Sequence, residues 1–175
     1  MLQTENFSLG FYFHALTKLL GEPRKFFSEL PRDAGLKRPL GFLCVSSLFF
    51  AGASLMSNQP PNPVIMGGVF FINAMGMTVI AAGIGYMAMT MIMGRQVTFT
   101  RFFSIYALSA GVTLLASWLP FFIWLTEPWK WWLIGTGMVK GCGFKLIQVL
   151  VIIGVSMGVM FLLFWSVLPV ISLRG

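Results

Sequence analysis

The chain has 175 residues, of which 57% are hydrophobic, 15% aromatic and only 10% charged, with a mean hydropathy of +0.84. A water-soluble domain carries roughly a quarter charged residues to cover its surface, so this composition excludes an ordinary soluble enzyme and points to an integral membrane protein. The net charge of +7 does not indicate nucleic acid, because the Lys and Arg residues stand at the ends of apolar runs and not on one aromatic-studded face; it indicates membrane topology and attraction to anionic lipid.

In chain order, the N-terminus MLQTENFSLGFYFHAL shows no basic segment ahead of a long apolar core and cleavage site, so no removable signal peptide is expected. Phe7 to Leu20 places Phe7, Phe11, His14, Ala15 and Lys18 at helical spacing. The run is short and carries His14 and Lys18, which predicts an amphipathic helix lying in the membrane interface rather than a span. Pro23 suits the first turn of a second short helix, expected to turn Phe26, Phe27 and Leu30 to the membrane and Arg24, Lys25 and Glu29 to water, ending at Pro31. Residues 1–39 therefore read as an amphipathic, cytoplasmic interfacial region and residues 40–175 as the transmembrane domain.

Uncharged runs of about 18 residues or more read as transmembrane helices. Leu40 to Met56 is the first, closed by the proline-rich loop SNQPPNP; Ile65 to Met93 is the second, long enough to tilt, to kink near Gly83 and Gly85, or to extend beyond the bilayer. The polar hinge Gly94 to Tyr106, with Arg95 and Arg101, leads into a third run, Phe102 to Leu125. TEPWKWW is expected to be a turn whose Trp129, Trp131 and Trp132 join the interfacial aromatic belt. Trp129 to Gly141 is then a short, thin fourth span, and Phe144 to Leu168 the last.

Charge distribution favours five crossings. With five, Lys18, Arg24, Lys25, Arg32, Lys37, Arg38, Arg95, Arg101, Lys140 and Lys145 lie inside, against Lys130 and Arg174 outside. A re-entrant fourth segment would move Lys140 and Lys145 out and weaken the positive-inside bias. The fold expected is all-α: a polytopic helical membrane protein of five transmembrane helices with amphipathic N-terminal helices, N-terminus cytoplasmic and C-terminus outside.

Ionisable groups within spans mark pumps and coupled carriers, yet Glu5, Glu22, Glu29, Asp33 and Glu127 all fall in terminal or loop segments of this reading. No Ser/His pair, paired aspartates or HExxH motif is present, so no catalytic residue and no enzyme activity is expected. His14 stands alone, without further ligands for haem or metal, and the methionines between Met66 and Met93 lack the regular spacing of a copper site; no cofactor is expected. Cys44 and Cys142 are read as small, reduced residues near the cytoplasmic side rather than a disulfide or lipidation sites.

Small-residue spacings are the more informative signal. Gly137/Gly141, Gly154/Gly158 and Ala107/Gly111 allow close helix approach, within the protein, in self-association or against another membrane protein. Asn73 and Gln148 are expected as buried amides able to hydrogen-bond across helices. Arg24, Lys25, Lys37, Arg38, Arg95 and Arg101 are candidates for contact with lipid head groups.

Four ordered segments add a resemblance: EPRKFFSELP before a basic linker, G-R-x-x-T-F, then R-F-F-x-x-Y opening the third run, and W-x-L before a Gly-rich short segment with a basic turn into a long last helix. In this order they resemble the prokaryotic form of the Yip1-domain family, from about Leu16 to the C-terminus. The resemblance implies a five-helix membrane domain with a cytoplasmic N-terminus, here in a bacterial cytoplasmic membrane. Eukaryotic relatives act in vesicle trafficking with small GTPases and with one another. This chain lacks their long soluble N-terminal arm and has Ala110 where many relatives carry a proline after the residue matching Tyr106, so GTPase recognition is not carried over. The function expected is a non-enzymatic adaptor or accessory subunit that associates with membrane lipids and other membrane proteins. The alternative is a transporter or channel for a small uncharged or lipidic solute, which would need a cavity near Asn73, Tyr106 or Gln148.

Overall fold

A computed structural model describes residues 7–31, 35–94, 97–119 and 121–172; for residues 123, 163, 164 and 166–172 it describes the backbone alone. Among the described residues every regular element is helical: α1 Leu9–Gly21, α2 Pro23–Ser28, α3 Lys37–Asn58, α4 Pro63–Met93, α5 Phe99–Leu114, α6 Ile123–Cys142 and α7 Leu146–Ser172.

α5 is the axis of the molecule. Every residue from Phe102 to Thr113 is buried, Ser104, Ser109 and Thr113 included, so the helix is enclosed on all sides. α3, α4 and α6 pack around it, and α7 lies against α4 and α6. Its two sides feed two cores. Phe102, Phe103, Tyr106 and Ala110 join Met89, Ile134, Met138 and Ile152 in one, while Ile105, Leu108 and Val112 join Tyr12, Leu19, Phe27, Phe42 and Leu133 in the other.

Local chemistry sets the helix ends. The Ser8 hydroxyl accepts from the Phe11 amide at 3.1 Å and opens α1, and proline fills the first turn of both α2 and α4. Gly143, at φ 76°, closes α6 in the left-handed region, and the Phe144 amide reaches back to the Met138 carbonyl at 3.3 Å. The Lys145 amide that precedes α7 donates to Gln148 Oε1 at 2.9 Å.

α3 and α4 are long and apolar enough to cross a membrane, and α7 is apolar over Leu146–Leu162. Large apolar side chains stand outward along the bundle, including Ile65, Ile72, Met91, Leu150 and Phe161. A surface of this kind is stable against lipid and not against water.

Several expectations from the sequence change. α5 begins earlier than expected, because Thr98 Oγ1 caps it by accepting the Arg101 amide at 3.4 Å and residues 99–106 are already helical. α4 is continuous through Gly83 and Gly85, which is compatible with the expected tilt or extension beyond the bilayer. α5 stops at Leu114, where bonds to the third preceding residue take over, as from Leu115 to Val112 and Ala116 to Thr113; Pro120 disfavours a helical Leu119. The connection is thus the stretch after Leu114, and TEPWKWW is helix. α6 has 20 residues, about 30 Å, so the helix begins before Trp129 and is longer than the expected segment Trp129–Gly141. Pro128 sits inside α6, leaving the carbonyl of exposed Trp124 without the usual intrahelical donor.

The last change concerns the N-terminal region. Tyr12, Ala15 and Leu19 of α1 and Phe26 and Phe27 of α2 are buried against the bundle and not turned to lipid. The Tyr12 hydroxyl lies 3.2 Å from that of Ser46, and α2 packs along α6.

Candidate functional site

The shift of the α5–α6 connection carries Glu127 and Lys130 into a helix. Three residues apart on α6, they form an ion pair of 2.6 Å, and the Lys130 ammonium also stands 5.8 Å from the Trp131 ring centroid. Both side chains border two adjoining cavities, of about 210 and 270 Å³. The first lies among α4, α5, α6 and α7, bounded by Met77, Thr78, Tyr106, Ala110, Ile134 and Met160. The second shares Met77, Thr78 and Ala110 and extends to Phe50, Asn73, Thr113 and Ser117.

The hydroxyls of this cleft are tied to their own helices. Thr78 donates to the Ala74 carbonyl at 3.0 Å, Thr113 to Ala110 at 3.0 Å and Ser117 to Thr113 at 2.7 Å. Their lone pairs remain able to accept from a guest. The Tyr106 hydroxyl is buried, near Ser156 of α7 but outside hydrogen-bond geometry, and Ser109 Oγ is also buried without a partner among the described residues. The cleft therefore presents one carboxylate, one ammonium and several hydroxyls on apolar walls. Such an arrangement can bind a small polar or dipolar guest. It offers no nucleophile with an adjacent base, and among the described residues no group of three His, Cys, Asp or Glu could hold a metal ion.

The candidates from the sequence separate in space. A Cβ at Gly137 would collide with Ile105 Cγ2 and lie 3.2 Å from the Phe27 ring; one at Gly141 would lie 3.4 Å from the Phe27 carbonyl oxygen. One at Gly111 would lie 2.7 Å from the Phe42 ring, and Ala107 is fully buried. These positions serve contacts within the chain. Gly154 and Gly158 are exposed on α7, with open space where a Cβ would stand.

Neither amide is buried as expected. Asn73 is exposed at the second cavity, and Gln148 is half-buried and occupied with the Lys145 amide. Arg24, Lys25 and Lys37 are exposed. Arg38 is half-buried with its guanidinium 5.4 Å from the Phe11 ring centroid. Arg101 turns inward: its Nε donates to the Gly141 carbonyl at 2.8 Å and its Nη2 donates to the same oxygen, tying the start of α5 to the end of α6. Arg95 lies outside the described residues. The pair missed from the sequence is Glu127 and Lys130; its one sequence signal is the three-residue spacing of opposite charges on a helix.

Among the described residues, a helical bundle with an apolar exterior and two helices long and apolar enough to cross a bilayer fits the class of helical membrane proteins. Within that class, the chain belongs to the Yip1 domain family, whose model matches residues 17–168, a family not known for enzymatic activity. Comparison with curated proteins and with solved structures finds no match.

Proposed function

We propose that the protein is a non-enzymatic adaptor or accessory subunit that associates with other membrane proteins, and that α3 to α7 cross a bacterial cytoplasmic membrane five times with the N-terminus inside and the C-terminus outside. The observation that carries the reading is the contrast between its glycine pairs. Gly137 and Gly141 are filled by Ile105 and Phe27, whereas Gly154 and Gly158 leave an open notch on the outer face of α7. In lipid, association depends on close backbone approach, and this notch offers it. Leucine at both positions would fill the notch without touching the protein's own core. In native mass spectrometry after mild detergent extraction, the wild type should carry a second chain that G154L/G158L has lost. A wild type that stays strictly monomeric with no co-purifying protein sinks the reading.

A second reading, a transporter or channel for a small solute, is favoured by the cleft at Asn73, Thr78, Tyr106 and the Glu127–Lys130 pair. It requires solute access from both sides. Flux into proteoliposomes that is unchanged by Thr78→Trp, which would block the floor shared by both cavities, would remove it.

A further inference from the structure

A third cavity, of about 140 Å³, lies at the opposite end of the bundle, between α1, α2, α3 and α5. A single water needs roughly 10–15 Å³ on this measure, so the space takes a group of several heavy atoms. Its walls are apolar: Phe11, Phe26, Leu30 and Leu108. Its polar rim is His14, Lys18, Arg38 and Glu29.

The rim follows from the register of α1. Tyr12, Ala15 and Leu19 form the stripe that packs on the bundle; Phe11, His14 and Lys18 form the neighbouring stripe, which faces the cleft. Arg38 enters from the first turn of α3, its guanidinium over Phe11. Lys18 meets Glu29 at 3.2 Å, with side chains 33% and 50% exposed, so the pair is solvent-screened and weakly held. An ammonium has three donors and can serve a second anion beside Glu29, and the planar Arg fork suits phosphate. Every described Lys and Arg except Lys130 lies on α1, α2 or the helix ends at this pole, which makes it electropositive.

We propose that this cleft binds one anionic phospholipid, with the head-group phosphate between Lys18 and Arg38, His14 as a further donor, and the start of an acyl chain along Phe11, Phe26, Leu30 and Leu108. A rim of two cations over an apolar slot matches a molecule with a phosphate at one end and hydrocarbon at the other. A free phosphate would use the rim and leave the slot empty. The site is independent of the α7 notch, so either reading can fail alone.

The test uses the full chain in nanodiscs of phosphatidylcholine doped with phosphatidylglycerol, with native mass spectrometry reading which lipid stays bound. The wild type should retain one phosphatidylglycerol in preference to phosphatidylcholine. K18Q/R38Q, which keeps both side-chain stems, should lower that preference by about tenfold or more, as expected for losing two charge-assisted contacts. R24Q/K25Q removes equal charge outside the cleft and should leave it unchanged. L108W, which fills the slot, should weaken retention while the rim stays intact; a folded elution profile qualifies each variant. Equal retention in K18Q/R38Q and wild type, an equal loss in R24Q/K25Q, or displacement of the lipid by inorganic phosphate would each overturn the proposal.

Discussion

Gly85 of α4 and the Tyr106 hydroxyl of α5 occupy the same contact: a Cβ at position 85 would lie 2.5 Å from Tyr106 Oη and 3.1 Å from Tyr106 Cζ and Phe102 Cε1. The absence of a side chain at 85 lets a fully buried tyrosine cross between helices. Gly85→Ala should therefore destabilise, because overpacking costs about 1–3 kcal/mol and the better helix propensity of alanine returns only about 1 kcal/mol. Tyr106→Phe should be neutral or slightly stabilising, since the buried hydroxyl has no hydrogen-bond partner among the described residues. The double variant should recover most of the loss. Thermal unfolding of the four proteins in one detergent measures the coupling, and additive effects would mean that the two residues do not meet.

Arg101 links elements that begin and end at the same pole. Its two donors to the Gly141 carbonyl satisfy one of the orphan acceptors at the end of α6. Arg101→Gln should cost about 1–3 kcal/mol, and Arg101→Lys should recover only part, because an ammonium cannot reproduce the paired geometry. If the side chain instead serves only lipid head groups, both variants will melt with the wild type in a neutral detergent.

The apolar runs that became α3, α4 and α7 were legible because an uninterrupted uncharged stretch has few other solutions. The segment Thr126 to Trp132 was not. Its proline, charges and tryptophans carry the composition of an interfacial turn, and only the bundle shows that Glu127 and Lys130 border a cleft rather than open water. The N-terminal stripe was visible as periodicity, but periodicity does not distinguish lipid from a neighbouring helix, since both are apolar. The same limit applies to glycine. Gly137/Gly141 and Gly154/Gly158 share one spacing, yet Phe27 and Ile105 fill the first pair while no described residue fills the second. The Tyr106 cavity was anticipated as a requirement of the transport reading; its charged border was not.

The five-span reading predicts opposite exposure for two lysines of one helix. Lys130 stands in the third turn of α6 and Lys140 in its last turn, separated by about 15 Å along the axis. In a variant lacking Cys44 and Cys142, Lys130→Cys should react with a membrane-impermeant maleimide added outside whole cells. Lys140→Cys should react only after the membrane is opened. Labelling of both from the outside would place the two ends of α6 on one side.

Phe27 is the residue that holds the N-terminal helices to the bundle. Its ring is fully buried and packs beside Gly137 and Ile105, and its carbonyl oxygen lies in the small space left at Gly141. Tyr12, Ala15 and Leu19 share that core, while the polar connection is weak, because the Lys18–Glu29 pair is solvent-screened, and α1 meets α5 over a small area. Phe27→Ala would leave a cavity the rigid glycine face of α6 cannot collapse to fill, at a local cost of about 3–5 kcal/mol. That loss should release α1 and α2 while the helices from α3 onward stay folded, because their packing shares no contact with position 27 except through α5 and α6. Limited proteolysis reads the separation directly: cleavage within residues 7–31 should speed up in Phe27→Ala without a matching change in α3 to α7. Uniform acceleration across the chain would show instead that the N-terminal helices and the bundle unfold as one unit.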